Sequence, residues 1–122
     1  MRIDDPQLLA RVSEILKAMA DPTRLRILQA LMQAPRRVSR LVEEVGTTQA
    51  NVSKHLALLR RAGLVAARRD GMAVEYRLAA DFVPEVCEVM CRGIAEHLQA
   101  DARLERRTRR LVRRGQAARE GR

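Results

Sequence analysis

The sequence predicts a mainly α-helical fold carrying one β-hairpin, with elements in the order α-α-α-α-β-β-α. Three observations predict it. Apolar residues recur at helical spacing on both sides of residues 64–79. Within that window two short runs flank Asp70-Gly71, a strong hairpin signal. Directly before the hairpin, residues 47–65 (TTQANVSKHLALLRRAGLV) read as a short helix with one apolar and one cationic face.

Residues 1–6 read as a frayed lead-in. From Gln7 to Ala20, Leu8, Leu9, Val12, Ile15, Leu16 and Met19 form the stripe of a first amphipathic helix. Asp21-Pro22 ends it and opens the next: Asp caps, and proline at the first helical position gives up an N–H that has no partner there. Leu25, Ile27, Leu28 and Leu31 predict a broad buried face for this second helix, which Pro35 terminates. Ser39 is expected to cap a third helix, Arg40 to Val45, closed by Gly46.

The link Gly46-Thr47-Thr48 has the length of a helix-turn-helix turn. Thr47 or Thr48 can cap the fourth helix. Val52, Leu56 and Leu59 share one face with Leu58 beside it, and Gly63 stops the helix by taking the left-handed conformation. The opposite face carries Gln49, Ser53, Lys54, Ala57, Arg60 and Arg61, without an acid. Such a helix meets the requirements of one that enters the major groove of DNA. The alternative, an ordinary amphipathic helix with a solvated basic face, stays open on this stretch alone. The strands expected at residues 64–70 and 73–79 weigh against it, since a helix followed at once by a basic hairpin is a winged helix-turn-helix. Arg68 and Arg69 lie beside the hairpin tip, where a wing touches the DNA backbone.

Asp81 can cap a last helix, with Pro84 tolerated in its first turn and Phe82, Val83, Val86, Met90, Ile94 and Leu98 along its stripe. Leu104, Thr108 and Leu111 could extend it, whereas residues 113–122 lack a core-forming pattern and are expected to fray. The expected organisation is a DNA-binding and dimerisation domain over residues 1–102 and an Arg-rich, partly disordered tail over 103–122. Of the formal +9, that tail holds +7, from nine arginines against Glu105 and Glu120. The rest of the chain is therefore far less basic than its overall charge implies.

The chain has 122 residues, enough for one domain, and its only aromatics are Tyr76 and Phe82. A helix-rich chain this small, with a core of Leu, Val, Ala and Ile, is expected to need a partner to bury enough surface. No segment approaches the ~20 apolar residues of a membrane span, so the expectation is a cytoplasmic protein with no membrane partner. No Ser/His/acid or Cys/His set with a local motif is present, which argues against an enzyme.

At this point the residues resemble a known family. ADPTRLRILQAL (20–31), VSRLVEEVGTTQANVSKHLALLRRAGLV (38–65) and EYRL (75–78) are similar to the ArsR/SmtB family of bacterial winged-helix repressors. The resemblance covers roughly residues 7–98. It implies a homodimer built by the first and last helices on an inverted repeat of double-stranded DNA, released by an inducer that is often a metal ion or thiol-reactive species. It implies base reading by Thr48, Gln49 and Ser53, with Lys54 and His55 near the backbone; for His55, beside the buried face, a structural role stays open. No cofactor is expected to be required for DNA binding.

The chain also departs from family patterns. A third-helix Cys-x-Cys metal cluster has no equivalent here, where the residues read Leu41-Val42-Glu43. The last helix offers Asp81 and the lone His97 toward a zinc-type site, too few for four-coordinate zinc. Cys87 and Cys91 remain. Four apart on a helix, they put Cβ atoms about 5–6 Å apart, beyond the ~3.5–4.5 Å that a disulfide wants. That spacing suits a soft metal(loid) ion, a polysulfide bridge or a cross-chain bond. Packing of two small buried thiols is the competing reading. Two further function classes stay open: a winged-helix regulator without inducer chemistry at the cysteines, and a non-sequence-specific nucleic-acid-binding protein suggested by the Arg-rich tail.

Overall fold

A computed structural model describes residues 2–121. The chain divides into two compact units, Met1–Pro84 and Glu85–Arg122. The first is a winged helix-turn-helix: α1 (Pro6–Met19), α2 (Pro22–Gln33), β1 (Arg36–Arg37), α3 (Val38–Val45), α4 (Gln49–Arg61), β2 (Val65–Asp70) and β3 (Ala73–Leu78). The last helix, α5 (Val83–Glu120), makes up the second unit apart from its first residues.

The local signals act largely as read. The Asp21 carboxylate accepts from the Arg24 amide, with Pro22 in the first turn of α2. Beyond α4, Gly63 takes φ +80°; its N–H donates to the Arg60 carbonyl and that of Leu64 to the Leu59 carbonyl, the paired bonds of a Schellman stop. α1 starts at Pro6, one residue before the expected Gln7: Asp5 accepts from the Gln7 amide and Pro6 opens the helix, the same Asp-Pro device as at residues 21–22.

Three other expectations are corrected. α3 begins at Val38, and Arg37, at the capping position before it, makes no side-chain cap; Ser39 lies inside the first turn. The reason is β1, which pairs Arg36 with Tyr76 and Arg37 with Glu75 and so fixes the chain just before the helix. In the hairpin Asp70 pairs with Ala73, which makes Gly71 and Met72 the central turn residues. Only Gly71 has positive φ (63°), the pattern of a type II′ turn and not the I′ turn that Asp-Gly advertises. Last, α5 crosses residues 102–103 without a break and stays helical to Glu120, in place of a fraying segment over 113–122. Ala, Arg, Leu, Gln and Glu are strong helix formers, and an isolated helix bonds its own backbone without a core.

The core of the first unit is built from Ile27, Leu28 and Leu31 of α2, Leu41 and Val45 of α3, and Val52, Leu56 and Leu59 of α4, with Leu64, Val65 and Val83 closing it. α2, α3 and α4 pack on one another, α4 contacts β2, and the sheet runs β1-β3-β2, all antiparallel. Each of these side chains contributes about 1.5–3 kcal/mol by leaving water, so the face of α4 turned inward is held firmly. Leu25, expected in the core, is 37% exposed because the buried arc of α2 centres on Ile27, Leu28 and Leu31. Leu8, Leu9 and Leu16 of α1 are each more than half exposed.

Candidate nucleic-acid interface

The turn from α3 into α4 is held by its own polar side chains. Gly46 ends α3 in the left-handed conformation, φ 77°. The Thr48 hydroxyl accepts from the Asn51 amide at 3.1 Å, which caps α4, and the Thr47 hydroxyl accepts from the Asn51 side-chain amide at 3.1 Å. Asn51 thus clamps both threonines. It escaped sequence reading because a mid-turn Asn carries no periodic signal. With the turn set, Gln49, Ser53, Lys54, Ala57, Arg60 and Arg61 all lie exposed opposite Val52, Leu56 and Leu59. Thr48 is exposed as well, although its oxygen is engaged by the cap.

Of the two roles left open for His55, its surroundings favour the structural one. His55 is only 8% exposed and faces α2, not solvent. Its Nδ1 lies 3.2 Å from Arg24 Nη1 and 4.0 Å from the Asp21 carboxylate. Since guanidinium only donates, that contact requires an unprotonated Nδ1. Arg24 goes on to donate through Nε to the Ala18 carbonyl and through Nη2 to that of Lys17 at 3.2 Å. One arginine therefore joins the end of α1, the cap of α2 and the middle of α4. The Arg24 amide, above all, holds the Asp21 carboxyl below the usual carboxylate range. From α1, Arg11 Nη2 donates to the Ala62 carbonyl at 2.9 Å, anchoring the other end of α4.

The hairpin presents the second cationic element. Arg68 and Arg69 are exposed next to the turn, but neighbours on a strand point to opposite faces, so they do not act as one patch. In register, Glu75 stands between Arg68 on β2 and Arg37 on β1, a row of alternating charge across three strands. Arg37 also pairs with Asp70 at 3.5 Å. Met72 at the tip is fully exposed. Arg37 was not legible as part of the wing, since a two-residue strand has no pattern of its own. Behind it, Glu44 of α3 accepts from Arg36 at 3.1 Å and from Arg40 at 2.9 Å, which latches β1 to the helical layer.

Cys87 and Cys91 belong to α5 and to the second unit. Both are free thiols, Cys87 half-buried and Cys91 exposed. Burial, and secondarily the neighbouring Cys91, pushes the Cys87 thiol up from its ordinary value. Among the described residues no group of three or more His, Cys, Asp or Glu stands ready to hold a metal. The donor chemistry of this pair fits a soft, low-coordinate ion or a sulfur-reactive species. Along the same helix Val89, Met90, Ile94, Leu98, Leu104, Leu111 and Val112 are all more than half exposed. No helix among the described residues is long and apolar enough to cross a membrane.

Residues 21–67 match the family described as bacterial regulatory protein, arsR family. The chain is 42% identical over 87 residues to the uncharacterised helix-turn-helix transcriptional regulator Rv0081 of Mycobacterium tuberculosis, covering 70% of this chain and 76% of that protein. The crystal structure of that regulator superposes with a TM-score of 0.71 at 39% identity, over 81% of this chain and 99% of the other. The solution structure of the homodimeric winged helix-turn-helix DNA-binding domain of Mb0332 from Mycobacterium bovis gives 0.70 at 32% identity, over 81% and 94%. A probable mercury resistance operon repressor of Streptomyces lividans is 42% identical over 64 residues, about half of each chain.

Proposed function

Since the chain belongs to the arsR family of bacterial regulatory proteins, we propose that it is a cytoplasmic, homodimeric repressor that reads an inverted-repeat operator. The observation that carries this is α4: its inner face is locked by Val52, Leu56 and Leu59, and its outer face offers Gln49, Ser53 and Lys54 with no acid among them. Gln49 and Ser53 serve base edges, while Lys54 and the wing residues Arg68 and Arg69 serve phosphates. The exposed stripes of α1 and α5 support dimerisation, as does the homodimeric state of the related domain from Mycobacterium bovis. The reading is tested by fluorescence anisotropy on the DNA upstream of the protein's own gene against a scrambled duplex of equal length. Equal affinity for the two removes it.

The effector in this reading is a soft metal(loid) or a reactive sulfur or oxidising species acting at Cys87 and Cys91. Support comes from the thiol pair on the helix that carries an exposed apolar stripe, and from a relative named for mercury resistance. Such an effector re-aims α5 and so alters the spacing of the two reading helices, which must match half-sites about 34–36 Å apart. A second reading, a regulator whose cysteines only pack, is favoured by one observation. The Cys87 thiol is half-buried and held above its ordinary pKa, whereas reactive thiols are usually lowered.

A further inference from the structure

The C-terminal part of α5 carries a charged surface that the reading helix and wing do not explain. Of the nine arginines beyond residue 102, six are Arg103, Arg106, Arg107, Arg110, Arg113 and Arg114. On a helix turning 100° per residue they fall within an arc of about 120°. Leu104, Thr108, Leu111 and Val112 take the opposite side. Glu105 lies off the arc and pairs with Arg109, which is also off it. Among the described residues no carboxylate pairs with any of the six. Arg103, Arg106, Arg107 and Arg110 together line one shallow depression.

A helix does not gather six unpaired cations on one side for its own sake. Arg103–Arg107, Arg106–Arg110 and Arg110–Arg114 are like-charge pairs four apart, which oppose the helix they sit on. Two copies laid face to face along this arc would add to the repulsion, so a second copy is the wrong occupant. From Arg103 to Arg114 the helix rises about 16 Å, close to one positive charge per 3 Å. Each strand of duplex DNA offers one negative charge per about 3.4 Å of axis. That match in line-charge density favours a duplex over an acidic polypeptide. The crystal structure of Rv0081 is covered over 99% of its length but leaves about a fifth of this chain without a counterpart.

We infer that the arginine face of α5, Arg103 to Arg114, is a second nucleic-acid surface that grips duplex phosphate without reading sequence. It rests on the proposed DNA-binding function and adds to it a sequence-independent share of the affinity.

The test uses the full chain with Arg103, Arg106, Arg107 and Arg110 all replaced by Gln, which keeps helix propensity. Binding to a non-cognate duplex is measured against salt. The slope of log affinity against log salt should shrink by about 0.9 for each lost phosphate contact, or roughly three to four per chain. Arg109→Gln, off the arc, should leave it unchanged. In a second measurement, excess duplex should slow tryptic cleavage at the tail arginines of the wild type, a readout that does not depend on how the variant folds. An unchanged slope, unslowed cleavage, or equal competition by poly-glutamate each overturns the inference, the last in favour of an acidic protein partner. If the variant keeps its preference for operator over scrambled DNA, the function assigned to α4 stands whatever the tail does. A wild type that binds no duplex at all ends both.

Discussion

Arg24 Nη1 lies 3.2 Å from His55 Nδ1, a bond between the second residue past a helix-opening proline and the midpoint of the reading helix. It ties α4 to α2. Arg24→Ala removes this bond and those to the Lys17 and Ala18 carbonyls, leaving the partly buried Ala18 carbonyl and His55 Nδ1 without this donor. A loss of about 1–3 kcal/mol is expected, read as a lower denaturant midpoint. Arg24→Lys should not restore it, because a single ammonium does not span three acceptors in a planar fork.

The same knot predicts an acid sensitivity. The Arg24 amide holds the Asp21 carboxyl below its usual value of 3.8. A group whose folded pKa is depressed contributes stability above its unfolded pKa and loses it as pH falls through the folded one. Asp21→Asn keeps a capping acceptor but removes the charge. The gap in melting temperature between wild type and Asp21→Asn should be largest above about pH 4 and close below it. A gap independent of pH would show that the carboxylate charge contributes nothing there.

On the reading helix, Gln49→Ala should relax preference at one base pair by about 1–3 kcal/mol. Arg68→Ala should weaken cognate and scrambled duplexes alike and lower the salt slope by about one contact. His55→Ala, since the ring is buried, should act on thermal stability first. If it changed DNA affinity with the melting temperature intact, the structural role assigned to the ring would be wrong.

For assembly, Met90 and Ile94 are each 56% exposed on a helix that carries a long apolar stripe. Met90→Glu with Ile94→Glu should give a monomer by sedimentation at micromolar concentration, with far-UV dichroism retained. A dimer that survives both charges would move the interface elsewhere.

Replacing Cys87 and Cys91 by Ser should leave operator binding intact and abolish release by a soft metalloid or sulfur oxidant. Thiolate is the reacting form, and burial holds the Cys87 thiol above its ordinary value of 9.0. Wild-type response should therefore strengthen as pH rises from neutral toward that range and fade below it. A response identical at acid and alkaline pH, or one that persists in the double variant, would leave packing as the role of these residues.

What the sequence determined by itself were the features carried by local chemistry. Asp21-Pro22, Gly46, Thr48 and Gly63 mark helix ends because capping and left-handed backbone depend on the residue in place and its immediate neighbours. The faces of α4 followed from the spacing of Val52, Leu56 and Leu59, for one periodicity sorts inner from outer. Tertiary structure decided whatever depends on distant partners. His55 went inward because Arg24, thirty-one residues away, supplies its donor. Arg36 and Arg37 became a strand only because β3 offers a free edge to pair with. The hairpin shifted its turn by one residue, from Asp70-Gly71 to Gly71-Met72, because strand register outweighs the dipeptide's own preference.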